Sequence, residues 1–114
     1  MVELIQRGYY PLTAGVVASN APSHPGVFLL SIVLANGVHH AFFTSQSENI
    51  HQSLRRYVNS DRSEVPEELE VYLDAYRCYF TFFIIPEIDY RQEIEKMLVS
   101  TVDPLTKLNV INCN

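Results

Sequence analysis

The chain has 114 residues, 47% of them apolar and 18% charged, with a formal net charge of −5. That length fits one domain able to bury roughly two thirds of its unfolded surface, and so apolar a composition excludes a mostly disordered chain. The longest apolar run, Val27 to Ala35, is broken by Ser31 and is about half of what a membrane-spanning helix needs.

Met1-Val-Glu-Leu has no basic start of the signal-peptide kind, so the mature chain is expected to begin here and to act in the cytoplasm. A single domain over residues 1–114 is expected, with 1–25 as an N-terminal extension of unclear structure and 26–111 as its core. A pI near 5.2 argues against a protein that grips phosphate backbones over its whole surface. Cys78 and Cys113 lack CxxC spacing and a four-ligand zinc pattern, so they read as two reduced thiols.

Pro11, Gly15, Pro22 and Pro25 punctuate the N-terminal segment, in which Val2 to Ile5 and Ala14 to Ala18 each have the composition of one short element. Gly26 to Ala35 is a dense β-branched and aromatic run followed by Asn36-Gly37. That dipeptide predicts a type I′ hairpin turn, since both residues accept positive φ. Val38 to Thr44 is the returning strand. Ser45 with Glu48 has the spacing of a capping box, with Ser47 as a rival cap.

Ile50, Leu54, Tyr57 and Val58 then form one apolar stripe of a helix, with His51, Gln52, Arg55 and Arg56 off it. Asn59 to Val65 is a polar loop. Pro66 suits the first position of a second helix, where Glu67, Glu68 and Glu70 complement the dipole and Leu69, Tyr72, Leu73 and Tyr76 form the buried face. Arg77 to Ile85 has almost no polar face and reads as the middle strand of a sheet, covered on both sides.

A last helix is expected behind Asp89 and Gln92, with Tyr90, Ile94, Met97, Leu98 and Thr101 as its stripe and Asp103-Pro104 as its end. Leu108 to Ile111 has the composition of a short terminal strand. Hairpin, helix, helix, strand and helix make an α+β domain on a small, mainly antiparallel three-stranded sheet.

This order, with its residues, resembles the GIY-YIG nuclease domain. Gly26-Val27-Phe28 stands where the family has Gly-Ile-Tyr, and Phe43-Thr44-Ser45 where it has Tyr-Ile-Gly. Gln46-Ser-Glu-Asn-Ile50 is similar to the family's approach to its first helix. Glu95-Lys-Met-Leu98-Val99 resembles the helix that carries the metal-binding glutamate, and Pro104 to Asn109 a lengthened form of the closing Pro-x-x-Asn. The resemblance implies a scaffold for metal-assisted phosphodiester cleavage, with phenols near the attacking water, a helix arginine and a glutamate on a divalent metal.

Here the two tyrosine positions are Phe28 and Phe43, the arginine position is Ser53, and a histidine often found four residues later is Tyr57; only Glu95 and Asn109 match. Phenylalanine keeps the volume of tyrosine and loses its proton. The resemblance therefore implies a catalytically degenerate domain acting as a binding module, its partner a protein, a second copy or nucleic acid, and the acidic net charge shifts the weight toward a protein or a second copy. The alternative is a divergent endonuclease in which Glu95 holds Mg²⁺ or Mn²⁺. DNA contact is open to the basic face of His51, Arg55 and Arg56, which otherwise reads as the wet side of an amphipathic helix.

His39-His40 cannot readily chelate one ion from a regular strand, because neighbouring residues point to opposite faces. Tyr9-Tyr10 is a candidate substitute for the missing phenols. The run from Tyr79 to Phe83 reads as core, or as a stacking platform for single-stranded bases.

Overall fold

β-branched and aromatic residues pack best on a pleated surface, and the two densest such runs form the inner strands of the sheet. The structure, a computed structural model, describes residues 4–59 and 65–102. Its elements are β1 (Arg7–Pro11), α1 (Ala14–Asn20), β2 (Gly26–Val33), β3 (His39–Ser47), α2 (Ile50–Val58), α3 (Glu67–Ala75), β4 (Cys78–Ile84) and α4 (Ile88–Thr101). No described helix is long and apolar enough to cross a membrane.

The sheet is antiparallel with four strands in the order β1-β4-β2-β3. Three strands were expected, and β1 is the addition. It pairs with β4 through Tyr10↔Phe80 and Pro11↔Tyr79. Gly8 and Pro11 disguise it in sequence, since both residues are depleted in strands. Pro11 is tolerated because an edge strand needs no donor on its outer side. α1 follows Thr13, whose side chain accepts from the Val16 N–H at 3.3 Å, and it buries Val17. Residues 7–21 thus contribute a strand and core side chains, while Leu4 and Ile5 lie in no regular element.

The β2–β3 hairpin forms, with a different turn. Within the turn Gly37 has positive φ, at 79°, and Asn36 does not. The Gly37 N–H donates to the Leu34 carbonyl at 2.8 Å and the Leu34 N–H to the Val38 carbonyl at 3.1 Å. This is the three-residue loop, a turn closed by a left-handed glycine. Asn36 contributes its side-chain oxygen to the Val38 N–H at 3.0 Å.

Gly26 opens β2 for a steric reason. A Cβ there would overlap the Phe83 carbonyl oxygen and come within 2.7 Å of Ile50 Cδ1. Its lack of a side chain lets β4 and α2 close on β2 together.

The two faces of the sheet build separate cores. Phe28, Leu30, Ile32, Phe80 and Phe82 join Val17, Leu54, Leu69 and Tyr72 under α1, α2 and α3. Their neighbours in the pleat, Val27 and Phe83, face the other way and meet Ile85, Ile94 and Leu98 under α4. β4 is an inner strand, with Cys78, Phe80, Thr81 and Phe82 buried as expected.

Helix ends depart from the expected caps. β3 continues to Ser47, so Ser45 lies within a strand, and Asn49 caps α2 by accepting from the Gln52 N–H at 3.0 Å. Pro66 sits one position earlier than expected, as the α3 cap residue. Tyr76 falls beyond that helix and is exposed.

No side chain caps α4, and Asp89 lies inside its first turn. Met97, expected on the buried stripe, is 64% exposed. The buried face carries Arg91 instead, whose guanidinium donates to the carbonyls of Ile85 at 3.4 Å and Pro86 at 3.1 Å. Asp103-Pro104 and the strand expected over Leu108–Ile111 lie outside the described residues.

Candidate functional site

Phe28 comes from the middle of β2, Phe43 from β3 and Tyr57 from the last turn of α2. The β2–β3 register shifts between Leu30 and Ser31, so Phe43 faces Leu30, Ala41 faces Ser31, and Phe42 is the extra residue. Such a bulge re-aims side chains, and here both Phe42 and Phe43 pack on the same core. The three rings then form a triangle: Phe28–Phe43 and Phe28–Tyr57 are 6.2 Å apart and Phe43–Tyr57 6.4 Å. These are ordinary distances for packed aromatic pairs. Phe28 is 2% exposed. Burial raises the Tyr57 phenol above its usual range, and neighbouring Arg56 opposes the shift in part. A phenol held protonated in this way is no base at neutral pH.

A second group of expected residues lies along the end of β3. Ser53 shares a 2.6 Å hydrogen bond with Ser47, whose hydroxyl also accepts from the Asn49 N–H at 3.0 Å. These bonds hold the turn from β3 into α2. The Gln46 N–H donates to Glu95 Oε2 at 2.9 Å. The carboxylate of α4 thus satisfies one backbone donor on the edge strand, a use unrelated to metal. Glu95 also borders an open groove with Asp89 and Glu93. Among the described residues no three His, Cys, Asp or Glu side chains converge as metal ligands.

The structure does not bring Glu95 and the aromatic triangle into one site. α4 covers the Val27–Phe83 face, and the triangle belongs to the face under α2. Asn109, the remaining position of the GIY-YIG resemblance, and the second cysteine, Cys113, lie outside the described residues.

On α2, Arg55 and Arg56 are exposed and border a shallow groove with Gln52 and Asn59. His51 is engaged elsewhere: its Nδ1–H donates to the Ala21 carbonyl at 3.0 Å, tying α2 to the end of α1. His39 and His40 part as the pleat requires. His39 stacks on Tyr9 at 3.6 Å, meets the Tyr79 ring edge-on and lies 3.4 Å from the Ser31 hydroxyl. His40 pairs with Ile32, on the other face.

Tyr9 is therefore occupied with His39, and Tyr10 packs on Phe80 and Phe82. Phe80, Thr81 and Phe82 are core residues, while Tyr79 and Phe83 are half-buried, Tyr79 against His39 and Phe83 on the core under α4. Sequence reasoning missed the structural uses of Asn49 and Arg91. Asn49 carried a usable signal, a capping residue directly before the apolar stripe. Arg91 carried none, because an arginine beside an apolar stripe reads as solvated.

Compared with known proteins, the chain matches no family model and finds no significant match among curated proteins or solved structures.

Proposed function

We propose that the chain is a catalytically degenerate GIY-YIG-like domain that acts as a non-catalytic binding module, with a protein or a second copy of itself as partner. One observation carries the reading. The two positions at which the resemblance expects phenols are Phe28 and Phe43, closed with Tyr57 into a packed triangle. Neither phenylalanine ring carries an acidic proton, and burial holds the Tyr57 phenol protonated at neutral pH. Loss of a general base typically costs about 10² to 10⁴ in rate, and the absent arginine removes a comparable electrostatic factor. Ser53, in the arginine's place, is spent on Ser47.

The net charge of −5 favours a protein partner over a phosphate backbone. Val33, Leu34 and Val38 add exposed apolar surface at the hairpin tip. The second reading, a divergent metal-dependent endonuclease, draws on the groove shared by Glu95, Asp89 and Glu93. A metal fits these residues poorly, since Glu95 is engaged with Gln46 and no ligand cluster forms among the described residues.

The deciding experiment offers single-stranded, duplex and branched DNA to the purified chain in Mg²⁺ and in Mn²⁺, with Glu95→Ala purified in parallel. Sedimentation and co-purification are followed on the same samples. The expected result is no cleavage that depends on Glu95, together with self-association or a retained protein. Cleavage abolished by Glu95→Ala overturns the proposal in favour of the endonuclease.

A further inference from the structure

A cleft of about 330 Å³ opens where the β1–α1 junction, the last turn of α2 and the α3–β4 junction meet. That volume is at the small end of the range for ligand sites. Leu12 and Leu73, both half-buried, supply apolar surface. Two of the lining residues are tied together, the Leu12 N–H donating to the Cys78 carbonyl at 2.9 Å. The Cys78 thiol is turned to the Tyr72 and Tyr76 carbonyls, at 3.4 and 3.6 Å.

Two polar groups stand out against this lining. Tyr57 is 9% exposed, its ring is fixed by Phe28 and Phe43, and the residue lines the cleft. A phenol on a rigid ring at a cleft offers a fixed hydrogen-bonding group to an incoming ligand. Arg77, on the rim, has no ion-pair partner among the described residues, and no carboxylate among them lines the cleft. Tyr76 also lines the cleft.

We infer that this cleft is a binding site for a small organic carboxylate with a planar or apolar body. Arg77 takes the carboxylate in its planar two-pronged fork, the Tyr57 hydroxyl donates a second hydrogen bond, and Tyr76, Leu12 and Leu73 cover the body. A single guanidinium balances a monoanion. A phosphate monoester carries nearly twice that charge and is matched less well. The assignment is independent of the GIY-YIG resemblance, since it uses none of that family's chemistry.

The test titrates the full ¹⁵N-labelled chain with phenylacetate, 2-phenylethanol, phenyl phosphate and benzylamine, followed through backbone amide shifts. Phenylacetate is expected to shift Leu12, Thr13, Leu73, Arg77 and Cys78 saturably, with phenyl phosphate weaker and benzylamine without effect. Arg77→Gln is expected to weaken phenylacetate about tenfold, to the level of 2-phenylethanol, as loss of a charged hydrogen bond implies. Tyr57→Phe, which keeps the ring triangle, is expected to weaken it about threefold without loss of stability. Three results overturn the inference: no saturable shift at these amides, shifts centred on Gln52, Arg55 and Arg56, or benzylamine binding as well as phenylacetate.

Discussion

On one face of the sheet three helices close over Phe28 and its ring neighbours; on the other, α4 packs on Val27 and Phe83 and leaves Glu95 half-buried at the β3 edge. Both regions hold residues to which the GIY-YIG resemblance assigns chemistry, and both use them structurally, by different forces. The first relies on buried ring area. The second relies on one charge-assisted hydrogen bond to a strand edge. The difference predicts unequal tolerance: removing a packed ring leaves a cavity, whereas removing the carboxylate leaves one backbone donor that water can reach.

The largest effect belongs to the packed face. Phe28→Ala is expected to lower unfolding free energy by about 3–5 kcal/mol, read from urea denaturation. Phe28→Tyr is expected to cost about 1–3 kcal/mol, because the added hydroxyl enters a site lined by rings. Full stability in Phe28→Tyr would mean that the triangle is open to water, and the contrast between faces would fail.

The same face governs alkaline behaviour. Burial raises the phenols of Tyr57 and Tyr72, and neighbouring Tyr76 adds to the shift of Tyr72. A folded-state pKa above the unfolded value of about 10 means that the folded protein holds these protons longer. Their contribution is therefore complete below about pH 10 and is lost as pH rises through the folded values. Stability measured from pH 9 to 12 is expected to fall, and less steeply in Tyr57→Phe. An identical slope in that variant would place the alkaline sensitivity elsewhere.

The smallest effect belongs to the edge. Glu95→Ala is expected to cost about 1 kcal/mol, with a melting temperature that Mg²⁺ changes in neither protein. Stabilisation of the parent chain by Mg²⁺, abolished in the variant, would restore Glu95 as a ligand and sharpen the two faces into a structural and a chemical one.

From Gly26 onward the fold was readable because its signals are local: dense β-branched strands, a glycine turn, and an α2 stripe at helical spacing. β1 was not, because a strand containing glycine and proline is recognised only by its partner, and that partner is β4, far along the chain. The α4 stripe misled for a related reason. Met97 fits the helical period, but which side of the period faces the sheet is set by where α4 lands, and Arg91 takes part of that side. For the candidate site, the identities of Phe28, Phe43 and Ser53 could be read directly. Their neighbours could not. The Ser47–Ser53 and Gln46–Glu95 bonds depend on how β3 ends and where α4 lies, and neither is encoded within a few residues.

The strand order also bears on how the chain reaches this state. Hairpin β2–β3 closes over a handful of residues, whereas Arg7 of β1 waits for Phe82 of β4, 75 positions away. Loop-closure entropy makes so distant a pairing late, and a chain rich in such pairings slow. On a ribosome, β1 is made before β2, β3 and β4 yet must remain without its partner until β4 has emerged.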